Sequence, residues 1–538
     1  MAADAHLIRY DVWDLNQGEV AAFPVKDPPG WDAVSLYYAL ALKAMGWQKS
    51  PDGDTNVESM WPYSDAPNSG FFQGAMHWWP KYRSLPPAPF NERWSHCTHG
   101  PAKSEQYFLA WHRAFIYFFE VIVRAWVAQL GGPDTWALPY WNYSYYAQAG
   151  PGAPWPRSNL PWVFAQAELP DGTDNPLYIA DTAKRGLQPL WPGKQQAMHL
   201  ETLTPYYDEA YAHTDFLGFN TTLDRQPHGA VHDDVGSGDG VLSRTGWMQN
   251  PVTAGFDPVF WLHHSEIDRF WVGWNAAGNA NPSAPTWLNA EDDPLRDTRW
   301  NFWGDGDLAN KVVVYPGQML DPAKLADPFP YCYSYANLPT FPAPVPPGKT
   351  QVAATLPKLA AGPVATLRPQ PVSGARSGPL ELTKEPVSTP VPVPEQARAA
   401  VARLAEPAAE AGQPRVLLRL QGIVADGPPG NYEIYLNYPD ADRATAGSVP
   451  HYVGLLAGFG ADHHHAHGDD GEGAGAHEGH EGLDASYDIT STVAYLRAHG
   501  GWNESEATVT FVPASRPREG FELQTAGLRV GHVSIETT

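Results

Sequence analysis

The residues best placed to do chemistry are histidines. His228-Gly229-Ala230-Val231-His232 puts two imidazoles four residues apart, on one helical face and close enough to share a metal ion. His263-His264 follows, and His77, His96, His99 and His112 precede. One buried histidine is more often a hydrogen-bonded core residue than a ligand, but two groups of three are a different pattern. The chain has 20 His against only two Cys, Cys97 and Cys332, so neither a disulfide framework nor a thiolate-rich zinc or iron–sulfur site can organise it. Only Gly229, Ala230 and Val231 lie between the paired histidines, so the carboxylate that would sit beside them in a zinc hydrolase is missing. All-imidazole ligation suits copper, which also leads the divalent affinity order.

Such ligands need rigid elements to carry them. After Ser104, a candidate cap, Tyr107, Phe108, Trp111, Phe115, Phe118, Phe119, Ile122 and Trp126 recur at helical spacing around His112, and Gly131-Gly132 closes the pattern. Asp257-Pro258, a cap followed by a first-turn proline, opens a second helix carrying Phe260, Trp261, His264, Ile267, Asp268 and Trp271. Shorter helical patterns cover about 31–46 and 199–212. The fold class expected is a mainly α domain, a four-helix bundle core with long loops, over residues 1–338. A Pro-rich linker spans 339–414, with a short helix near 395–405. An all-β domain, a small sandwich or barrel, fills 415–538, with alternation in Arg415–Leu420, Tyr432–Leu436, Ala507–Val512 and His532–Ile535.

The net charge of −24 argues against nucleic acid as a partner. No apolar run is long enough to span a membrane, and the start lacks the blocks of a secretory signal, which makes the cytoplasm the expected compartment. Export on a partner and a homo-oligomer are left open.

Two stretches resemble the copper-binding signatures of the type-3 copper proteins: tyrosinases, catechol oxidases and molluscan hemocyanins. One runs from Cys97-Thr98-His99 to Trp111-His112-Arg113; the other is Asp257-Pro258-Val259-Phe260-Trp261-Leu262-His263-His264-Ser265-Glu266-Ile267-Asp268-Arg269. Leu138-Pro139-Tyr140-Trp141-Asn142 is similar to the segment after the first signature. Tyr333-Ser334-Tyr335 is similar to the family's closing tyrosine motif, with Arg9 as its stacking partner.

The resemblance implies two copper ions, copper A held by His77, His99 and His112 and copper B by His228, His232 and His264, with His263 a neighbour. It also implies a thioether from Cys97 to His99; His96 competes with His99, because Gly100-Pro101-Ala102-Lys103 lengthens the usual spacing to His112. Asp268 is expected to orient an imidazole, the alternative being that it only pairs with Arg269 or caps a backbone group. Dioxygen is the implied co-substrate and small phenols are the partners: monophenols hydroxylated at the ortho carbon, o-diphenols oxidised to o-quinones. Asp224, four residues before His228, and Asp233 are the candidate proton acceptors. Gly229 and Asp233 border the expected entrance, and Pro251 stands where many plant enzymes place a bulky Phe. A catechol or o-aminophenol oxidase without monophenolase activity is the alternative, and a hemocyanin-like oxygen carrier a more distant one.

The β-rich region resembles the C-terminal domains of polyphenol oxidases and hemocyanins, which implies a latent enzyme with a lid and a plug residue within Tyr435–Tyr452. The insertion His463–Gly482 holds six histidines; it is read first as a solvated loop, and otherwise as a copper-capturing or pH-responsive segment.

Overall fold

The computed structural model describes residues 5–47, 66–77, 105–143, 160–180, 185, 210–211, 213–237, 246–249, 251–291, 300–339, 379–383, 385–403, 416–425, 432–442, 445, 449–456, 458, 483–513 and 527–537. They fall into two compact units, one ending at Pro339 and one beginning at Pro379. Among the described residues no helix is long and apolar enough to cross a membrane.

The first unit is built on two long helices, Phe108–Gln129 and Pro258–Ala276. Phe108–Gln129 is apolar almost all round, as a helix enclosed by others must be, and is buried along most of its length. It stops at Leu130, where Gly131 takes a left-handed φ of 76° that a side chain would resist. Pro258–Ala276 starts as its sequence requires: the Asp257 side chain accepts from Val259 N at 3.0 Å, and Pro258 fills the first turn, where a missing N–H costs nothing. Phe119 and Trp261 stack between the two helices with centroids 3.6 Å apart. The helix Ala33–Ala44 joins them, its Tyr38 hydroxyl donating to Pro258 O at 2.8 Å.

Strand β1 (Ala5–Arg9) pairs in parallel with β4 (Tyr331–Tyr335), and a small hairpin is formed by β2 (Asn301–Trp303) and β3 (Lys311–Val313). The first pairing delivers Arg9 to a fully buried position where its guanidinium lies 3.7 Å above the Tyr333 ring and 2.7 Å from Glu120. Asp268 is the hub of this cluster. It accepts from Tyr333 at 2.7 Å, from Tyr335 at 2.5 Å and from the Arg113 guanidinium. Burial, and then the Asp268 charge, push both phenols up, so they remain O–H donors. The expectation that Asp268 orients an imidazole or pairs with Arg269 is therefore corrected: Asp268 is consumed by two arginines and two tyrosines, and Arg269 pairs instead with Glu266 at 2.7 Å.

The second unit is a sandwich of two four-stranded antiparallel sheets rather than a barrel. One has the order β10-β7-β12-β5: Leu483–Asp488, Val416–Ala425, Leu528–Thr537 and Leu380–Leu382. The other has the order β6-β11-β8-β9: Val387–Pro392, Glu506–Pro513, Tyr432–Leu436 and Tyr452–Leu456. Leu418, Leu420, Val533 and Ile535 of one sheet meet Ile434, Leu436, Val509 and Phe511 of the other in one core. Strands β5 and β6 and the helix Glu395–Arg403 come from the stretch 339–414, read above as linker. Pro390 and Pro392 hid β6. It is an edge strand bonded only to β11, where prolines facing solvent are tolerated while Thr389 and Val391 turn inward. Tyr435 is buried within this unit, donating to Glu433 at 2.8 Å; the insertion His463–Gly482 lies outside the described residues.

Asp268→Asn keeps the shape of the hub but leaves Arg113 and Arg9 with a neutral partner. The variant should lose about 3–5 kcal/mol, the usual cost of breaking a buried ion pair on one side, read from its denaturant midpoint. A loss under about 1 kcal/mol would show that the network is dispensable.

Candidate metal centre

The helices bring the histidines to one buried place. His77 follows the short helix Gly70–Ala75, which Ser69 caps; His112 lies on the second turn of Phe108–Gln129; His263 and His264 lie on the second turn of Pro258–Ala276. His228 and His232 do not share one regular helix. Residues Asp224–Gly229 form a π-helical turn, followed by the α-helix Ala230–Ser237. Pro227 explains it: with no N–H and a ring that crowds the carbonyl four residues back, it widens the helix, and both flanking histidines still face inward.

Four of the imidazoles are held by backbone carbonyls. Nδ1–H of His77 donates to Pro251 O at 2.7 Å, of His112 to Phe108 O at 2.8 Å, of His228 to Asp224 O at 2.7 Å and of His232 to Met248 O at 2.6 Å. A carbonyl can only accept, so the proton must sit on Nδ1, and Nε2 keeps its lone pair for a metal. Ring nitrogens of His77, His112 and His264 lie within 4.8 Å of one another, and so do those of His228, His232, His263 and His264. His264 belongs to both groups. Its ring stacks on His112 at 4.3 Å, its Nε2 lies 3.4 Å from that of His232, and its Nδ1 has no hydrogen-bond partner among the described residues.

The shell is aromatic. Phe108 packs on His112 and His228 at 4.6 and 4.7 Å, and Phe260 on His77 and His264 at 4.7 and 4.3 Å. Burial, reinforced by the neighbouring imidazoles, pushes His232, His263 and His264 well below the usual histidine range. They are neutral at neutral pH, the form that ligates. Among the described residues neither histidine group contains a carboxylate or thiolate, and the donor set fits copper.

Five of the expected ligands, His77, His112, His228, His232 and His264, are thus brought together, and His263 joins them. His96, Cys97 and His99 lie outside the described residues. Pro251 contributes its carbonyl to His77, and Gly229 ends the π-helical turn. The Asp224 carboxylate rests 3.4 Å from His228 Nδ1, and Asp233 is buried directly after His232. Sequence reasoning named Pro251 for its ring but missed that the carbonyls of Pro251 and Met248 position one histidine of each group. Only Pro227, a proline inside a helical pattern, signalled the π-helical turn.

Residues 67–277 match the model of the common central domain of tyrosinase, and residues 370–538 match a domain of unknown function. A tyrosinase of Hahella sp. (strain CCB-MM4) is 28% identical over 497 residues, 88% of this chain and 92% of that protein. The chloroplastic (+)-larreatricin hydroxylase of Larrea tridentata is 28% identical over 252 residues, and the match spans 38% of its length. The structure of latent apple tyrosinase superimposes with a TM-score of 0.59 at 20% identity, covering 99% of this chain and 98% of that one. Residues 67–277 thus carry the central domain of the tyrosinase family of type-3 copper proteins. That match spans both histidine groups and both long helices, so it rests on the part of the chain that carries the centre.

Burial of neutral imidazoles in this tyrosinase-type domain has a consequence for stability. Below pH 6.5 the unfolded chain binds protons that folded His232, His263 and His264 refuse, so their contribution is present above 6.5 and is lost as the pH falls toward their depressed folded values. The copper-free protein should therefore melt at a lower temperature at pH 5.5 than at pH 7.5 by calorimetry. An unchanged Tm would show that the imidazoles accept protons where they stand.

Proposed function

We propose that the protein oxidises phenols with dioxygen, hydroxylating monophenols at the ortho carbon and converting o-diphenols to o-quinones. The observation that carries this is the convergence of buried imidazoles whose Nδ1 protons are tied to carbonyls. Bound there, two copper ions supply the two-electron redox chemistry with dioxygen. His77 and His112, with His99 by resemblance, would hold copper A; His228, His232 and His264 would hold copper B.

The chain's own residues do the rest. Phe108 and Phe260 wall the imidazoles from bulk water and restrict their rotation. Asp224, against His228 Nδ1, holds that ring in orientation. Asp233, buried directly after His232, is taken as the proton acceptor for an incoming phenol. Asp233→Asn should lower monophenol oxidation by about a hundredfold, the scale of a lost general base, and lower catechol oxidation much less. Equal losses on both substrates would remove Asp233 from proton transfer.

The decisive assay gives copper-loaded protein tyrosine, catechol and o-aminophenol and follows quinone colour. Colour from the last two alone would favour the diphenol or aminophenol oxidase, and none from any would favour an oxygen carrier. The C-terminal unit is proposed to restrain activity, as the latency named for the apple tyrosinase suggests. Limited proteolysis of the full chain between residues 340 and 378 should raise catechol turnover several-fold; an unchanged rate after complete cleavage would contradict this.

A further inference from the structure

His263 differs from its neighbours in what it faces. Its Nδ1 lies 2.8 Å from the hydroxyl of Tyr143, whereas His77, His112, His228 and His232 each face a carbonyl oxygen. A carbonyl compels a proton on Nδ1; a phenol can supply one. Tyr143 is fully buried, and burial, then the nearby Glu266 charge, push its phenol up, so it keeps its O–H. When that O–H donates to Nδ1, the imidazole proton resides on Nε2. The Tyr143 segment is docked on the same turn of helix: Trp141 N donates to Leu262 O at 3.2 Å, and the Trp141 ring packs on Tyr143 at 5.2 Å.

Nε2 of His263 is buried and has no hydrogen-bond partner among the described residues. A ring nitrogen of His263 lies within 4.8 Å of those of His228, His232 and His264, and its ring runs parallel to that of His228 at 5.3 Å. A buried N–H is rarely left unsatisfied, and an oxygen arriving at this side of the centre would relieve it.

We infer that His263 is not a metal ligand but a hydrogen-bond donor of the centre, its Nε2–H receiving the anionic oxygen of a bound aromatic substrate, and that Tyr143 is the positioning residue that fixes this tautomer. The inference rests on the phenol-oxidising reading above. It separates the four-histidine group into three metal-binding imidazoles and one that serves substrate binding.

The test compares full-length copper-loaded protein with His263→Leu, His263→Gln and Tyr143→Phe. The measurements are copper per chain, the Kd of benzoate as an aromatic anion, and KM and kcat for catechol. Wild-type copper content is expected in every variant. Benzoate Kd and catechol KM should rise about tenfold in His263→Leu, the scale of losing a hydrogen bond to a charged oxygen. They should rise in Tyr143→Phe as well, and return toward wild type in His263→Gln, whose amide still donates, while kcat moves less than KM. Loss of one copper per chain in His263→Gln and His263→Leu would overturn the inference by making His263 a ligand. Unchanged benzoate binding in either His263→Leu or Tyr143→Phe would also overturn it, and the Tyr143 variant decides alone if His263→Leu does not fold. Wild-type protein that binds copper and benzoate but oxidises no phenol would sink the functional reading alone, since the benzoate series still decides the role of His263.

Discussion

The bond from a histidine Nδ1–H to a backbone carbonyl is the interaction on which the centre depends. It fixes tautomer and ring direction together, and it does so with a group that substitution of a side chain cannot remove. Phe108 O and Asp224 O are carbonyls four residues before His112 and His228, so helical geometry itself supplies them. Pro251 O and Met248 O must be brought from elsewhere, and the chain spends the turns Trp247–Gln249 and Pro251–Ala254 on that purpose. Everything that places those turns against the two long helices therefore places the imidazoles.

Holding the helices in register falls largely to buried charge. Arg113 follows His112 and Asp268 stands one turn after His264, so their ion pair fastens the two ligand-bearing helices beside the centre. Arg9 adds the N-terminal strand through Glu120, and Tyr333 and Tyr335 add β4. A buried network of this kind gains little net stability over apolar packing, because desolvation offsets attraction. What it supplies is a single admissible arrangement. Stacked rings can slide by an ångström at small cost, but a carboxylate accepting from two guanidinium groups and two phenols cannot.

Much of this was legible in the sequence, for physical reasons. Asp257-Pro258 and Gly131-Gly132 mark helix ends because caps and left-handed turns demand those residues, and the histidine spacing identified an imidazole-held metal because so few thiols compete. The carbonyl partners were invisible, since every residue carries a carbonyl and side-chain identity says nothing about where it points. Asp268 was misjudged for a related reason: its place one turn after His264 suggested an imidazole partner, while the arginines that claim it lie 155 and 259 residues away. Strands β5 and β6 were lost to their composition, because proline reads as linker until an edge strand gives it an exposed place.

Adjacent residues on a helix diverge by about 100°, so His263 and His264 cannot both serve one metal in the same way. Only His263 has a partner on the side away from the centre, while His264 Nδ1 has none among the described residues. His264 turns toward His112 and His232, between the two groups, while His263 lies parallel to His228 and is backed by a hydroxyl. A doubled histidine in a copper signature looks redundant as a string of letters. In the folded chain the two rings meet different neighbours, and a hydroxyl behind His263, where four other imidazoles of the centre face a carbonyl, is what allows that ring to offer a proton in place of a lone pair.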